Sequence, residues 1–138
     1  MTPLRNLAND LLITAVEGGI NYWAIIPAYE PPGQFEDGIA TVIDNEEAEI
    51  AEFNFLGHIL NWDEISEAIE KGHISCHTLR PVQIEQTLRN MADNKYDLPR
   101  RWQRWALDLL LEPEDADYDA EDADVVAQLT MLGEVVYG

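Results

Sequence analysis

The spacing of apolar residues changes period twice along this chain, and that order limits the folds open to it. Leu4, Leu7, Ala8, Leu11, Leu12, Ala15 and Val16 recur at intervals that place them on one buried stripe of a helix. Thr2 supplies an N-cap, Pro3 occupies the first helical position, and Gly18-Gly19 closes the segment. Residues 20–29 are then rich in aromatic and β-branched types, as a strand is, until Glu30-Pro31-Pro32-Gly33 interrupts them. Residues 38–43 predict a second strand and 49–55 a third, with Asp44-Asn45-Glu46-Glu47 as the turn between them. Helical spacing returns at 62–71, capped by Asn61 and stopped by Gly72, and again after Pro81, with Ile84, Leu88 and Met91 inward. Pro99 opens another helix, with Trp102, Trp105, Ala106, Leu109 and Leu110 on one stripe, and Pro113 stops it. A last helix over 121–132 turns Val125, Val126, Leu129 and Leu132 inward and ends at Gly133, leaving 134–137 as a short edge strand. A helix, then strands, then helices is the order of the α+β class. The expectation is a single domain over 1–138, with a small antiparallel three-stranded sheet packed with about five helices. Leu7, Leu11, Trp23, Ile25, Val42, Phe53, Trp102, Trp105 and Leu129 are expected in its core.

Charge is distributed as unevenly as hydropathy. The chain has 27 Asp and Glu against 8 Lys and Arg, a formal net charge of −19 on 138 residues. Residues 30–70 hold twelve acids and no base, residues 106–138 ten acids and no base, and residues 71–104 seven of the eight bases. Such a charge repels itself and destabilises the compact state, so it is most useful where the charge is itself the working surface. Disordered acidic chains are poor in aliphatic and aromatic residues. This one is 46% hydrophobic and has four tryptophans, so it folds. The expected exception is residues 112–124, of which 112–121 form an acidic linker or loop. An acidic surface is repelled by anionic lipid and by nucleic acid, which argues against direct binding to either. No apolar run approaches the ~20 residues that span a bilayer. Residues 1–5 lead into an amphipathic segment rather than an apolar signal core. Cys76, the only cysteine, excludes an intramolecular disulfide and fits a reducing cytoplasm.

Local motifs carry little chemistry. Asp115, Asp117 and Asp119 match the first three ligand positions of an EF-hand loop, but Ala120 stands where the loop needs Gly and Val126 where it needs a bidentate Glu. His73, Cys76 and His77 are more readily packing and turn residues than zinc ligands, since His58 is the only other histidine. No nucleophile elbow and no Gly-rich phosphate loop is present, so neither a cofactor nor an enzymatic activity is expected. Arg100-Arg101-Trp102-Gln103-Arg104-Trp105 has the look of a nucleic-acid patch. Helical spacing instead sends both tryptophans inward and leaves the arginines on the flanks, to pair with the chain's own acids or to hold one face of a homodimer.

Two stretches stand out as signatures: Thr14-Ala15-Val16-Glu17-Gly18-Gly19-Ile20-Asn21-Tyr22-Trp23-Ala24, and the C-terminal run from Asp122 that ends in Leu132-Gly133-Glu134-Val135-Val136-Tyr137-Gly138. In both, the chain resembles an uncharacterised family of small acidic proteins encoded by bacteriophages and plasmids. The resemblance covers about a fifth of the chain, the motifs naming no chemistry, and implies a mobile-element origin and a host bacterial cytoplasm. Mobile elements must survive host enzymes that bind DNA or RNA. A polyanionic surface of that origin points to DNA mimicry: occupation of a basic, nucleic-acid-binding host protein of the restriction or CRISPR type. A compact chain of this length has a diameter of ~37 Å, over which duplex DNA carries about 22 phosphates. The net charge of −19 is of the same order. The expected partner-binding residues are Asp44, Glu46, Glu47, Glu49 and Glu52 on the second hairpin, and Glu114, Asp115, Asp117, Asp119, Glu121 and Asp122 in the C-terminal run. The alternative is an assembly or regulatory factor that binds a partner without mimicking DNA.

Overall fold

The structure, a computed structural model, describes residues 1–44, 63, 67, 70–72 and 76–138. Helix α1 (Pro3–Thr14) begins as its sequence dictates, with Thr2 Oγ1 accepting from the Arg5 amide at 3.1 Å. It runs into a single π-helical turn, Ala15–Gly19, closed by the Ile20 amide donating to the Ala15 carbonyl at 3.0 Å. Strands β1 (Ala24–Glu30), β2 (Ile39–Asp44) and β3 (His77–Leu79) follow, then α2 (Pro81–Ala92), α3 (Arg100–Leu111), a 3-10 turn at Pro113–Asp115, and α4 (Ala120–Leu132).

The sheet is antiparallel with order β1-β2-β3, so the class is α+β as the order of periodicities predicts. Four α-helices of eight residues or more lie among the described residues, against about five expected. Central strand β2 is the most buried, with Ala40, Val42 and Ile43 all inaccessible to solvent. Edge strand β1 tolerates Pro27, which cannot donate to a ladder, because the register shifts between Ile25 and Ala28. β1 starts at Ala24 rather than at Ile20. The Trp23 and Ala24 amides both turn back to the Ile20 carbonyl, at 3.1 and 3.0 Å, so residues 20–23 form a turn. The third strand of the sheet is His77–Leu79, paired with β2 through Val42 and His77. The expected strand at 49–55 and most of the expected helix at 62–71 lie outside the described residues, as does Phe53.

α1 packs on α2, α2 on α3, and α4 on the π turn, on α2 and on β3. Leu7, Leu11, Trp23, Val42, Trp102 and Leu129 are core residues, as their spacing predicts. Ile25 and Trp105 are only half-buried. The inward face of α4 also differs from expectation. Ala123, Val126, Ala127 and Leu129 are buried together with Asp124 and Gln128, while Val125 and Leu132 are partly exposed. The loop before β2 is tied to α1 by a buried asparagine. Asn9 Oδ1 accepts the Gly38 amide at 2.9 Å, and its Nδ2 donates to Asp37 at 3.1 Å and to the Arg5 carbonyl at 3.0 Å. Arg5 adds ion pairs to Asp37 at 2.8 Å and, across to α2, to Glu85 at 3.0 Å.

Candidate functional site

Helix α3 carries the largest contrast between its two sides. Trp102, Ala106 and Leu109 face the core, and Trp102 meets Trp105 edge to face at 5.5 Å between ring centroids. Beyond Leu111 the chain turns at Pro113–Asp115, where the Asp115 amide donates to the Glu112 carbonyl at 3.1 Å. Trp105 Nε1 donates to the Asp117 carbonyl at 3.1 Å, which fastens the following loop back onto the helix. As a result Asp108, Glu112, Asp115 and Asp117 line one open trough of about 450 Å³, with Trp105 and Leu111 beside them. Among the described residues no Lys, Arg or His pairs with any of these four carboxylates.

The expected partner-binding residues divide accordingly. Glu114, Asp115, Asp117, Asp119 and Glu121 are all exposed and follow one another along the ordered connection from α3 to α4. Residues 112–121 comprise a 3-10 turn at Pro113–Asp115 and the start of α4, joined by a short extended stretch. Asp122 is half-buried and serves α4 itself. Its amide donates to Asp119 Oδ1 at 2.9 Å and its carboxylate accepts the Asp119 amide at 3.1 Å, a reciprocal cap. Desolvation, followed by the charges of Asp119 and Glu121, holds the Asp122 carboxyl above its usual range, although the Asp119 amide partly offsets this. Asp44 is not in a turn. It ends β2, with a carboxylate oxygen 4.0 Å from His77 Nε2 on β3. Glu46, Glu47, Glu49 and Glu52 lie outside the described residues. Asp108 and Glu112 are members of the trough that the sequence reading missed. The signal was their i,i+4 spacing, which puts both on one edge of α3. The arginines of α3 do not pair with the chain's own acids among the described residues. Arg101 lies over the Trp102 ring at 4.8 Å instead.

A second cluster brings the two signature stretches together. Asp124 is only 5% exposed, and its carboxylate accepts from Trp23 Nε1 at 2.8 Å, from the Tyr22 hydroxyl at 2.5 Å and from Gln128 Nε2 at 3.0 Å. Gln128 is fully buried, and its Oε1 accepts the Val136 and Tyr137 amides at 2.8 and 2.9 Å while Nε2 donates to the Tyr137 carbonyl at 3.1 Å. The Tyr137 ring stacks on Trp23 at 4.9 Å, nearly parallel. Residues 134–137 are therefore no edge strand. Their backbone pairs with a buried amide side chain, which supplies the donor and acceptor a neighbouring strand would otherwise supply. Beside this cluster lies an open groove of about 640 Å³, lined by Gly18, Tyr22, Arg101, Trp102, Glu121 and Val135 among others.

Desolvation, then the hydrogen bond to Asp124, pushes the Tyr22 hydroxyl from 10.0 up to about 12. A raised folded-state value means that the native chain keeps this proton while the unfolded chain loses it. The stability this group contributes is complete below pH 10.0 and is lost as pH rises toward about 12. Tyr22→Phe should accordingly show a shallower alkaline loss of stability than wild type, read from urea midpoints across that window. An unchanged slope would mean that Tyr22 ionises as freely in the folded chain as in the unfolded one.

Among the described residues no group of three His, Cys, Asp or Glu could hold a metal ion. No helix among them is long and apolar enough to cross a membrane. No family model matches the chain, and no similar curated protein or solved structure is found.

Proposed function

We propose that the protein is an acidic interaction module, cytoplasmic in a bacterial host, that occupies a basic, nucleic-acid-binding protein by presenting carboxylates in place of DNA phosphates. The observation that carries this reading is the trough of Asp108, Glu112, Asp115 and Asp117, which gathers four exposed carboxylates with no base among the described residues to neutralise them. Folding pushed these acids together against their mutual repulsion, and α3 adds to the cost by placing Asp108 and Glu112 at its negative end. An arrangement unfavourable to the free protein becomes favourable when arginines or lysines enter it. Glu114, Asp119 and Glu121 are further exposed acids along the connection from α3 to α4. The resemblance to proteins of bacteriophages and plasmids supports a host defence complex, of the restriction or CRISPR type, as the target. A restriction or CRISPR protein grips DNA through many phosphate contacts and is correspondingly sensitive to salt.

The test is capture from a bacterial lysate on immobilised protein, followed by elution with a short duplex DNA. Nucleic-acid-binding proteins should be retained at low salt and released by the duplex. A variant carrying Asp108→Asn, Glu112→Gln, Asp115→Asn and Asp117→Asn together should retain at least about tenfold less, since rim charges act in sum on association. A single neutralisation such as Asp117→Asn should weaken capture only modestly. Partners that duplex DNA fails to displace would identify a non-mimic interaction or assembly factor. If one substitution abolished capture and the other three did nothing, a localised site would replace a distributed surface.

A further inference from the structure

The groove beside the Asp124 cluster differs in kind from the acidic trough. Its walls are mostly apolar, with Leu98, Trp102, Val125 and Val135 among them, and none of the four trough carboxylates lines it. Asp124 borders it but is already satisfied, since its carboxylate accepts from Trp23, Tyr22 and Gln128. Two other charged groups border it. Arg101 and Glu121 are both exposed, and among the described residues neither makes an ion pair, with the other or with any third group. Arg101 lies over the Trp102 ring at 4.8 Å, in the first turn of α3, where the dipole favours an acid and the sequence supplies none. Glu121 stands in the first turn of α4, which suits its charge. A cation and an anion thus line one groove from two helices without neutralising each other.

We infer that this groove binds a short apolar peptide with both ends free, its carboxylate on Arg101, its ammonium on Glu121 and its side chains against Trp102, Val125 and Val135. A groove of about 640 Å³, apolar but for a few charged groups, has the size and lining of a small-ligand site. Charge complementarity selects a zwitterion, because a ligand of one sign would leave the opposite wall unpaired. A carboxylate on Arg101 makes a charge-assisted hydrogen bond and also meets the positive end of α3, which has no acid of its own. The length of the ligand follows from the same placement. A free amino acid carries both charges on one carbon, whereas here they belong to separate helices, so an apolar body must lie between them. The inference does not rest on the proposed function. The peptide has no net charge, and Asp108, Glu112, Asp115 and Asp117 take no part in holding it.

Titration of the full chain with the dipeptide leucyl-leucine, followed by amide and indole NMR shifts, tests this. The dipeptide should move the Trp102 indole and the Val125 and Val135 amides and leave those of Asp115 and Asp117 in place, with a dissociation constant on the order of 0.1–1 mM. Amidating its carboxylate or acetylating its amine should each weaken binding about three- to fivefold, as loss of one exposed ion pair does. L-leucine should bind at least about tenfold more weakly. In Arg101→Gln the free and amidated dipeptides should bind alike, and in Glu121→Gln the free and acetylated ones should. The chain's overall charge acts in both variants, so it would preserve these differences rather than erase them. No shift at the groove, equal binding of free and capped dipeptides to wild type, differences that survive both substitutions with circular dichroism unchanged, or L-leucine binding as tightly as the dipeptide would each overturn the inference.

Discussion

Gln128→Leu should lower the free energy of unfolding by about 2–4 kcal/mol, the cost of a buried amide that serves several partners at once. The substitution keeps roughly the side-chain volume, so packing loss is small and the effect isolates the hydrogen bonds. The Val136 and Tyr137 amides and the Tyr137 carbonyl lose their partner, and Asp124 loses one of its three donors. The two amides sit near the surface and recover water in part, which keeps the figure below the sum of separate penalties. Urea unfolding gives the energy, and hydrogen exchange at Val136 and Tyr137 shows where it goes: both amides should exchange faster while those of α1 stay protected. Gln86→Leu is the control, an exposed glutamine whose side chain reaches only Asn90 at 2.9 Å, and it should shift stability by less than about 0.5 kcal/mol. Unchanged protection of the two amides in Gln128→Leu would mean that stacking of Tyr137 on Trp23 alone holds the C-terminal segment.

Adjacent glycines should respond in opposite ways. A Cβ at Gly19 would lie 3.0 Å from the Ala120 carbonyl oxygen and 3.4 Å from the Asp124 amide, both backbone atoms of α4 that cannot swing aside. Gly19→Val should therefore destabilise by about 1–3 kcal/mol, as overpacking of a close contact does. It should also loosen the bonds from Asp124 to Trp23 and Tyr22, because α4 must retreat from the π turn. A Cβ at Gly18 meets nothing within 4 Å, and Gly18→Ala should be neutral or stabilise by up to about 1 kcal/mol through the unfolded chain. Thermal or urea midpoints of the two single variants decide the matter. Equal effects would show that the glycines are needed for the π turn itself rather than for the approach of α4.

The elements governed by local rules were legible in the residues alone. The N-cap of Thr2, the prolines that open α2 and α3, the left-handed Gly133 that ends α4, and the helical stripes of α1 and α3 all follow from interactions within a few residues. The exposure of Glu114, Asp115, Asp117, Asp119 and Glu121 was legible for the same reason: acids that no neighbouring base neutralises stay in water. Tertiary structure decided what depends on residues far apart in the chain. Asp124 and Gln128 are polar side chains on α4, and no periodicity marks them as buried. They are inward because Trp23 and the backbone of Val136 and Tyr137 arrive with the donors and acceptors to satisfy them. Residues 134–137 carry the composition of a strand, yet their pairing groups meet a glutamine instead of a neighbouring strand. The His77–Leu79 strand is too short to announce itself and exists because β2 offers it a ladder. Asp108 and Glu112 belong to the trough only because Trp105 draws the Asp117 backbone back onto α3. Helix and cap formation are set by energies local in sequence, whereas burial of a polar group is set by whether a distant partner completes its hydrogen bonds.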